Sequence, residues 1–176
     1  SSQNEQDNRH YARFAKVPML EPSDSQEAKD FTKIAFALSE KFDTPVMLRT
    51  TTRVSHSKSI VLLKEPGIPP VQPKLTKDPM KFVMLPANAR KRHPIVEKRM
   101  EELTRFAETF PENRIEWGDN QVGIITSGIS YDYTKEIMPG ASYLKLGMDH
   151  PLPKEMIRSF ASRVEKLFVV EELDPF

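Results

Sequence analysis

Three short stretches of this 176-residue chain hold most of the side chains equipped for chemistry. SSQNEQDNRHYARF opens it, with Gln3, Asn4, Glu5, Gln6 and Arg9 ahead of Tyr11 and Phe14. The amides both donate and accept, and a guanidinium can grip a carboxylate through two parallel bonds. A frayed end is the default for any first nine residues. LRTTTRVSHSKS sets Arg49, Thr50, Thr51, Thr52, Arg53, Ser55, His56 and Ser57 directly after an apolar run. Ligands of parallel α/β sheets bind beyond the carboxyl ends of strands, so Arg53, Ser55 and His56 mark a site edge. A self-satisfied polar turn explains them equally well. ANARKRHP places Arg90, Lys91, Arg92 and His93 before an expected helix start, where backbone N–H groups favour an anion. Nothing Gly-rich accompanies them, and a solvated basic turn is the stronger reading.

Absences exclude several classes. The chain has no G-x-G-x-x-G, P-loop, G-x-S-x-G or H-E-x-x-H pattern. His10, His56, His93 and His150 lie far apart, with no helical pair to hold a metal. Without Cys there is no disulfide, thiolate zinc site or Cys-held cluster on this chain. Lys and Arg total 26 against 25 Asp and Glu, and a net charge of +1 gives no general attraction to nucleic acid or an anionic membrane. No run approaches the ~20 apolar residues of a membrane span.

The elements that must position these residues follow from spacing. VPMLE reads as a short strand. In PSDSQEAKDFTKIAFALSEKF, Ser23 or Asp24 caps a helix whose apolar face is Ala28, Phe31, Ile34, Ala35 and Leu38. PVMLRTTT is the next strand, and this crossover suits parallel pairing. The prolines at 66, 69, 70, 73 and 79 then forbid regular structure and mark a seam over residues 64–81. Beyond it, HPIVEKRMEELTRFAETF is a helix with Pro94 as its first residue. Strand QVGIITSG, helix ISYDYTKEIM, strand SYLKLG, helix LPKEMIRSFASRVEKL and strand LFVVEEL continue the alternation of a parallel sheet covered by helices. The opening without Met reads as a cut inside a longer protein.

Several long strings in one order, SSQNEQDNRHYARFAKVPMLEPSDSQEAKDF, FDTPVMLRTTTRVSHSKS, PANARKRHP, IITSGISYDY and LKLGMDHPLP, closely resemble the alpha subunit of indolepyruvate ferredoxin oxidoreductase. The resemblance implies an α/β fold: residues 1–63 end a thiamine pyrimidine-binding domain, 64–81 form a Pro-rich linker, and 82–176 form a three-layer, parallel-sheet unit like the transketolase C-terminal domain. It implies a cytoplasmic parent enzyme of anaerobic archaea or bacteria that converts aryl pyruvates to arylacetyl-coenzyme A. Thiamine diphosphate, Mg2+ and 4Fe-4S clusters would serve that parent, with a beta subunit, ferredoxin and coenzyme A as partners. Gln3, Asn4, Gln6 and Arg9 fall in a loop resembling the substrate-facing loop of related oxoacid oxidoreductases. The diphosphate- and cluster-binding segments and the catalytic Glu would lie outside this chain, which by itself is expected to be inactive and cofactor-free.

Two other readings stand beside this one. The first is a stand-alone module binding coenzyme A or a nucleotide through Arg90, Lys91, Arg92 and the Ser127-Gly128 turn. The second is a structural dimerisation domain.

Overall fold

The computed structural model describes residues 6–64 and 76–176, so Gln3, Asn4 and most of the proline seam lie outside the described residues. A short helix α1 (Arg9–Ala15) leads into strand β1 (Met19–Leu20), helix α2 (Ser25–Phe42) and strand β2 (Met47–Leu48). Strands β1 and β2 pair in parallel, with Met19 opposite Met47 and Leu20 opposite Leu48, as the crossover length predicts. The Asp24 side chain caps α2 by accepting from the Glu27 backbone N–H at 2.7 Å, and the Glu27 carboxylate reaches back to the Ser23 N–H at 2.9 Å. This reciprocal arrangement satisfies donors that the helix itself cannot. Left-handed Asp43 ends the helix.

Helix α3 (Thr52–His56) follows β2, and after the seam come α4 (Pro79–Phe82) and the long α5 (Pro86–Ala107). The expected start at Pro94 is corrected: Pro86 begins α5, and Pro94 lies inside it. Asn88 Nδ2 donates to Val83 O at 2.8 Å, fixing the chain that enters the helix. Arg90, Lys91 and Arg92 are therefore interior helix residues, with no free helix N-terminus beside them.

The larger sheet comprises β3 (Arg114–Glu116), β4 (Asp119–Ser127), β5 (Ala141–Leu146) and β7 (Lys166–Val170), in the order β3-β5-β4-β7. Strands β4, β5 and β7 run in parallel, whereas β3 is an antiparallel edge that the residue pattern does not announce. Helix α6 (Gly128–Ile137) connects β4 to β5, and α7 (Lys154–Ala161) precedes β7. Helix α7 stops short of the expected reach toward Leu167. Val164 instead sits over Gly123, where a Cβ would come within 2.7 Å of its Cγ2.

Residues from both sides of the seam meet in the smaller sheet and in one apolar cluster. Immediately after β5 the chain crosses at Gly147 into β6 (Met148–His150), which pairs antiparallel with β1 and completes the smaller sheet, β2-β1-β6. Leu20, Phe31 and Leu38 share one apolar cluster with Ala107, Phe110 and Met148. Asn113 pins this crossing: its Oδ1 accepts from the Gly147 and Met148 N–H groups, both at 2.9 Å, while its Nδ2 donates to Ala107 O at the end of α5 at 2.9 Å.

Candidate functional site

Two of the chemically loaded stretches meet. Gln6, Asn8 and Tyr11 form one wall of a groove of about 530 Å3, and Met47, Leu48, Arg49, Thr50, Thr51 and Thr52 form the other. The groove lies at the carboxyl end of β2, where a parallel α/β unit offers a ligand backbone and side-chain polar groups together. Arg49 joins its walls: Nε donates to Asn8 Oδ1 at 2.8 Å, and Nη1 is bound to the buried Glu21 carboxylate. Thr51 Oγ1 is buried on the groove and has no hydrogen-bond partner. Gln6 is exposed, its Oε1 accepting from Tyr11 OH at 3.4 Å.

Helix α3 turns the following residues onto an adjoining opening of about 640 Å3 lined by Thr52, Arg53, His56, Ser57 and Glu172. Arg53 and His56 thus stand at a surface depression. Ser55 does not line it, and its hydroxyl donates to Thr50 Oγ1 at 3.1 Å within the turn. Asn8, the residue that ties the two walls, escapes a sequence reading because its partner Arg49 lies 41 positions away.

Arg9 takes a different place from that of an open substrate ligand. It is 2% exposed, and its guanidinium is engaged by Asp7, Glu171 and the backbone carbonyls of Glu172 and Asp174. The Nε–Asp7 Oδ1 and Nη2–Asp7 Oδ2 distances, 2.9 and 2.6 Å, describe the two-point grip typical of this pair. Burial pushes the Asp7 carboxyl up, but the Arg9 hydrogen bonds and charge outweigh it and hold Asp7 below its ordinary value.

The chemistry available in the groove is binding and orientation through hydroxyls, an amide and a fixed guanidinium. The absence of Cys leaves no thiolate for a cluster. Among the described residues, one grouping of metal-ligand side chains occurs, Asp7, His10 and Asp174, and there Asp7 already serves Arg9. These donors do not fit an iron–sulfur cluster or a magnesium diphosphate. The turn proposed for a coenzyme or nucleotide phosphate is likewise filled. At Gly128, whose φ is +51°, a Cβ would lie 2.5 Å from Glu21 Oε1, so this carboxylate already faces the start of α6.

No family model matches the chain. A solved 2-oxoglutarate:ferredoxin oxidoreductase from Magnetococcus marinus, with 2-oxoglutarate, coenzyme A and succinyl-CoA bound, shares the fold. The TM-score is 0.60 at 18% identity over 87% of this chain and 34% of that one. The architecture is thus an α/β arrangement found in 2-oxoacid:ferredoxin oxidoreductases. By sequence the kinship is narrower, to indolepyruvate oxidoreductase subunit IorA: the chain is 46% identical over 181 residues to the subunit of Archaeoglobus fulgidus and 46% over 188 residues to that of Thermococcus kodakarensis. The Methanothermobacter thermautotrophicus subunit is 42% identical over 181 residues. The matches cover 99–100% of this chain but only 29% of each relative's length. Among the described residues, no helix is long and apolar enough to cross a membrane.

Proposed function

We propose that this chain is the substrate-orienting and subunit-bracing portion of an indolepyruvate:ferredoxin oxidoreductase alpha subunit. The observation that carries this reading is identity of 40–46% along essentially the whole chain to IorA subunits. The parent enzyme, cytoplasmic and assembled with a beta subunit, oxidatively decarboxylates aryl pyruvates to arylacetyl-coenzyme A and passes electrons to ferredoxin. Thiamine diphosphate, Mg2+ and 4Fe-4S clusters supply electron-sink and electron-transfer chemistry from other parts of that assembly.

Within it, Gln3, Asn4 and Gln6 offer hydrogen bonds to the carboxylate or keto oxygen of the 2-oxoacid. Asn8, two positions beyond Gln6, is tied by Arg49 to the end of β2, a geometry supported by the 2.8 Å bond between them. Arg9, with its donors taken by Asp7 and the 171–174 segment, acts as the loop's anchor. Arg53 and His56 border the same face on the adjoining opening.

The test is Gln6→Ala in the full-length, assembled enzyme. Losing a hydrogen bond to a charged group costs about 1.5–3 kcal/mol, so kcat/KM for indolepyruvate should fall by about one to two orders of magnitude. Unchanged kinetics would remove Gln6 from the substrate's surroundings. The 176-residue chain alone should neither turn over indolepyruvate nor reduce ferredoxin, and activity from it would overturn the division of labour.

A further inference from the structure

Arg92 and Arg99 stand seven positions apart on α5 and so share one face of that helix. With Lys81 of α4 they converge on a single carboxylate, that of Asp43 at the end of α2. The three contacts are unequal. Lys81 Nζ donates to Asp43 Oδ1 at 2.5 Å, whereas Arg92 Nη2 and Arg99 Nη2 stand 3.9 and 3.7 Å from Oδ2, beyond hydrogen-bonding reach. Among the described residues, neither guanidinium makes a hydrogen bond. Yet the Arg99 side chain is only 11% exposed and that of Arg92 23%, and each carries five N–H donors. Charged donors drawn this far from water are ordinarily matched by acceptors. Here the carboxylate in reach is already engaged by Lys81.

The three cations line an open depression of about 580 Å3, to which Ser39 and Thr44 add hydroxyls. Its carboxylates are those of Asp43 and of Glu40, which is exposed, so positive charge is in excess. The depression lies beside the residues that lead into β2, away from the polar groove at that strand's carboxyl end. Spacing selects the ligand. A carboxylate oxygen placed between the two guanidinium forks, as Asp43 Oδ2 is, falls short of both. A tetrahedral oxyanion spreads its oxygens around one centre and can reach both forks together, and the guanidinium fork matches phosphate oxygens in geometry. A phosphomonoester near pH 7 also carries more negative charge than a carboxylate.

We propose that Arg92 and Arg99, assisted by Lys81, form a binding site for a phosphate group, either inorganic or carried as a phosphomonoester. The site is separate from the groove assigned to the 2-oxoacid and does not depend on that assignment.

Inorganic phosphate, glycerol 3-phosphate and acetate are the probes, compared at equal ionic strength because salt screens exposed charges. In a two-dimensional amide NMR titration of the 176-residue chain, both phosphates should give saturable shifts at Thr44, Lys81 and Arg99, while Gln6 and Thr51 stay unmoved. Acetate should bind at least about tenfold more weakly. Glycerol 3-phosphate binding about tenfold tighter than phosphate would assign the site to esters, and equal affinities would assign it to the phosphate group alone. Arg92→Gln and Arg99→Gln should each weaken phosphate by about tenfold or more, and the more exposed Arg92 guards against misfolding of the Arg99 variant. Asp43→Asn keeps a side chain that tolerates the left-handed cap, removes the competing carboxylate and should tighten phosphate severalfold. Acetate binding as tightly as phosphate would overturn the proposal, as would full phosphate affinity in Arg92→Gln or shifts that never saturate.

Discussion

Arg49 Nε donates to Asn8 Oδ1 at 2.8 Å across 41 residues of sequence, so one guanidinium joins the start of the chain to the end of β2. The consequence lies in local stability. Asn8→Ala removes the acceptor and should free α1 at a cost of about 1.5–3 kcal/mol, the range for bonds to a charged donor. Hydrogen exchange of the α1 amides should accelerate about tenfold or more while β4 is unaffected, and unchanged α1 exchange would show that Arg9's contacts suffice alone.

Replacing Arg49 itself should be more damaging. Glu21 is 3% exposed and bound to Arg49, so Arg49→Met strands a carboxylate. Breaking a buried pair from one side costs about 3–5 kcal/mol. The added change Glu21→Gln removes the stranded charge and should return a large part of the loss. Urea denaturation of both variants decides this, since a double variant no more stable than the single one would contradict the charge argument.

Acid should weaken the larger sheet through Glu116. Its carboxylate accepts from Tyr131 OH at 2.7 Å, Lys135 Nζ at 2.6 Å and Arg114 Nε at 3.1 Å. Burial works against ionisation, yet these hydrogen bonds and the Lys135 charge lower the carboxyl from 4.5 to about 2. A lowered folded-state value means that the stabilisation is fully present above the unfolded value and disappears as pH falls from about 4.5 to about 2. Glu116→Gln should flatten the pH dependence of thermal stability in that window, and an equally steep loss in the variant would assign acid sensitivity to other groups.

Much of this was legible in the sequence, and the failures have physical causes. The strand, helix, strand order before the seam and the parallel pairing of Met19 with Met47 follow from apolar spacing and crossover length. Strands β3 and β6 span only three residues each, too few for alternation to register. Pro94 suggests a helix start, but the turns before it are polar and mostly exposed, so no apolar rhythm reveals that α5 has begun at Pro86. The groove was visible as two polar stretches, whereas their union depends on one distant arginine. The burial of Arg9 was not legible, because nothing local indicates that residues 171–174 close over it. Strand β7, apolar in LFVV, is an edge whose Leu167, Phe168 and Val169 are 41–59% exposed, a position that the residue pattern does not announce.

The coupling of the two sheets can be tested at Asn113. Its side chain serves three backbone groups, Ala107 O, Gly147 N–H and Met148 N–H, each at 2.9 Å, and it is 5% exposed. Gly147 has little room to adjust, since even a Cβ there would come within 2.8 Å of the Glu112 carbonyl oxygen. Asn113→Ala leaves the Gly147 and Met148 N–H groups without their side-chain acceptor and the Ala107 carbonyl with only the Phe110 N–H at 3.4 Å, and at roughly 1–3 kcal/mol for each N–H the variant should lose about 2 kcal/mol or more. The loss should be felt first where the chain enters β6, because that strand closes the smaller sheet against β1 and brings Met148 into the shared core. Asn113→Asp keeps the acceptor for both N–H groups and gives up the donor to Ala107, so it should retain β6 protection while loosening the end of α5. Amide exchange at Met148 and in the last turn of α5, measured beside urea midpoints, separates these effects. An Asn113→Ala protein within about 0.5 kcal/mol of the parent, as for an ordinary surface change, would mean that the apolar cluster alone holds the sheets together.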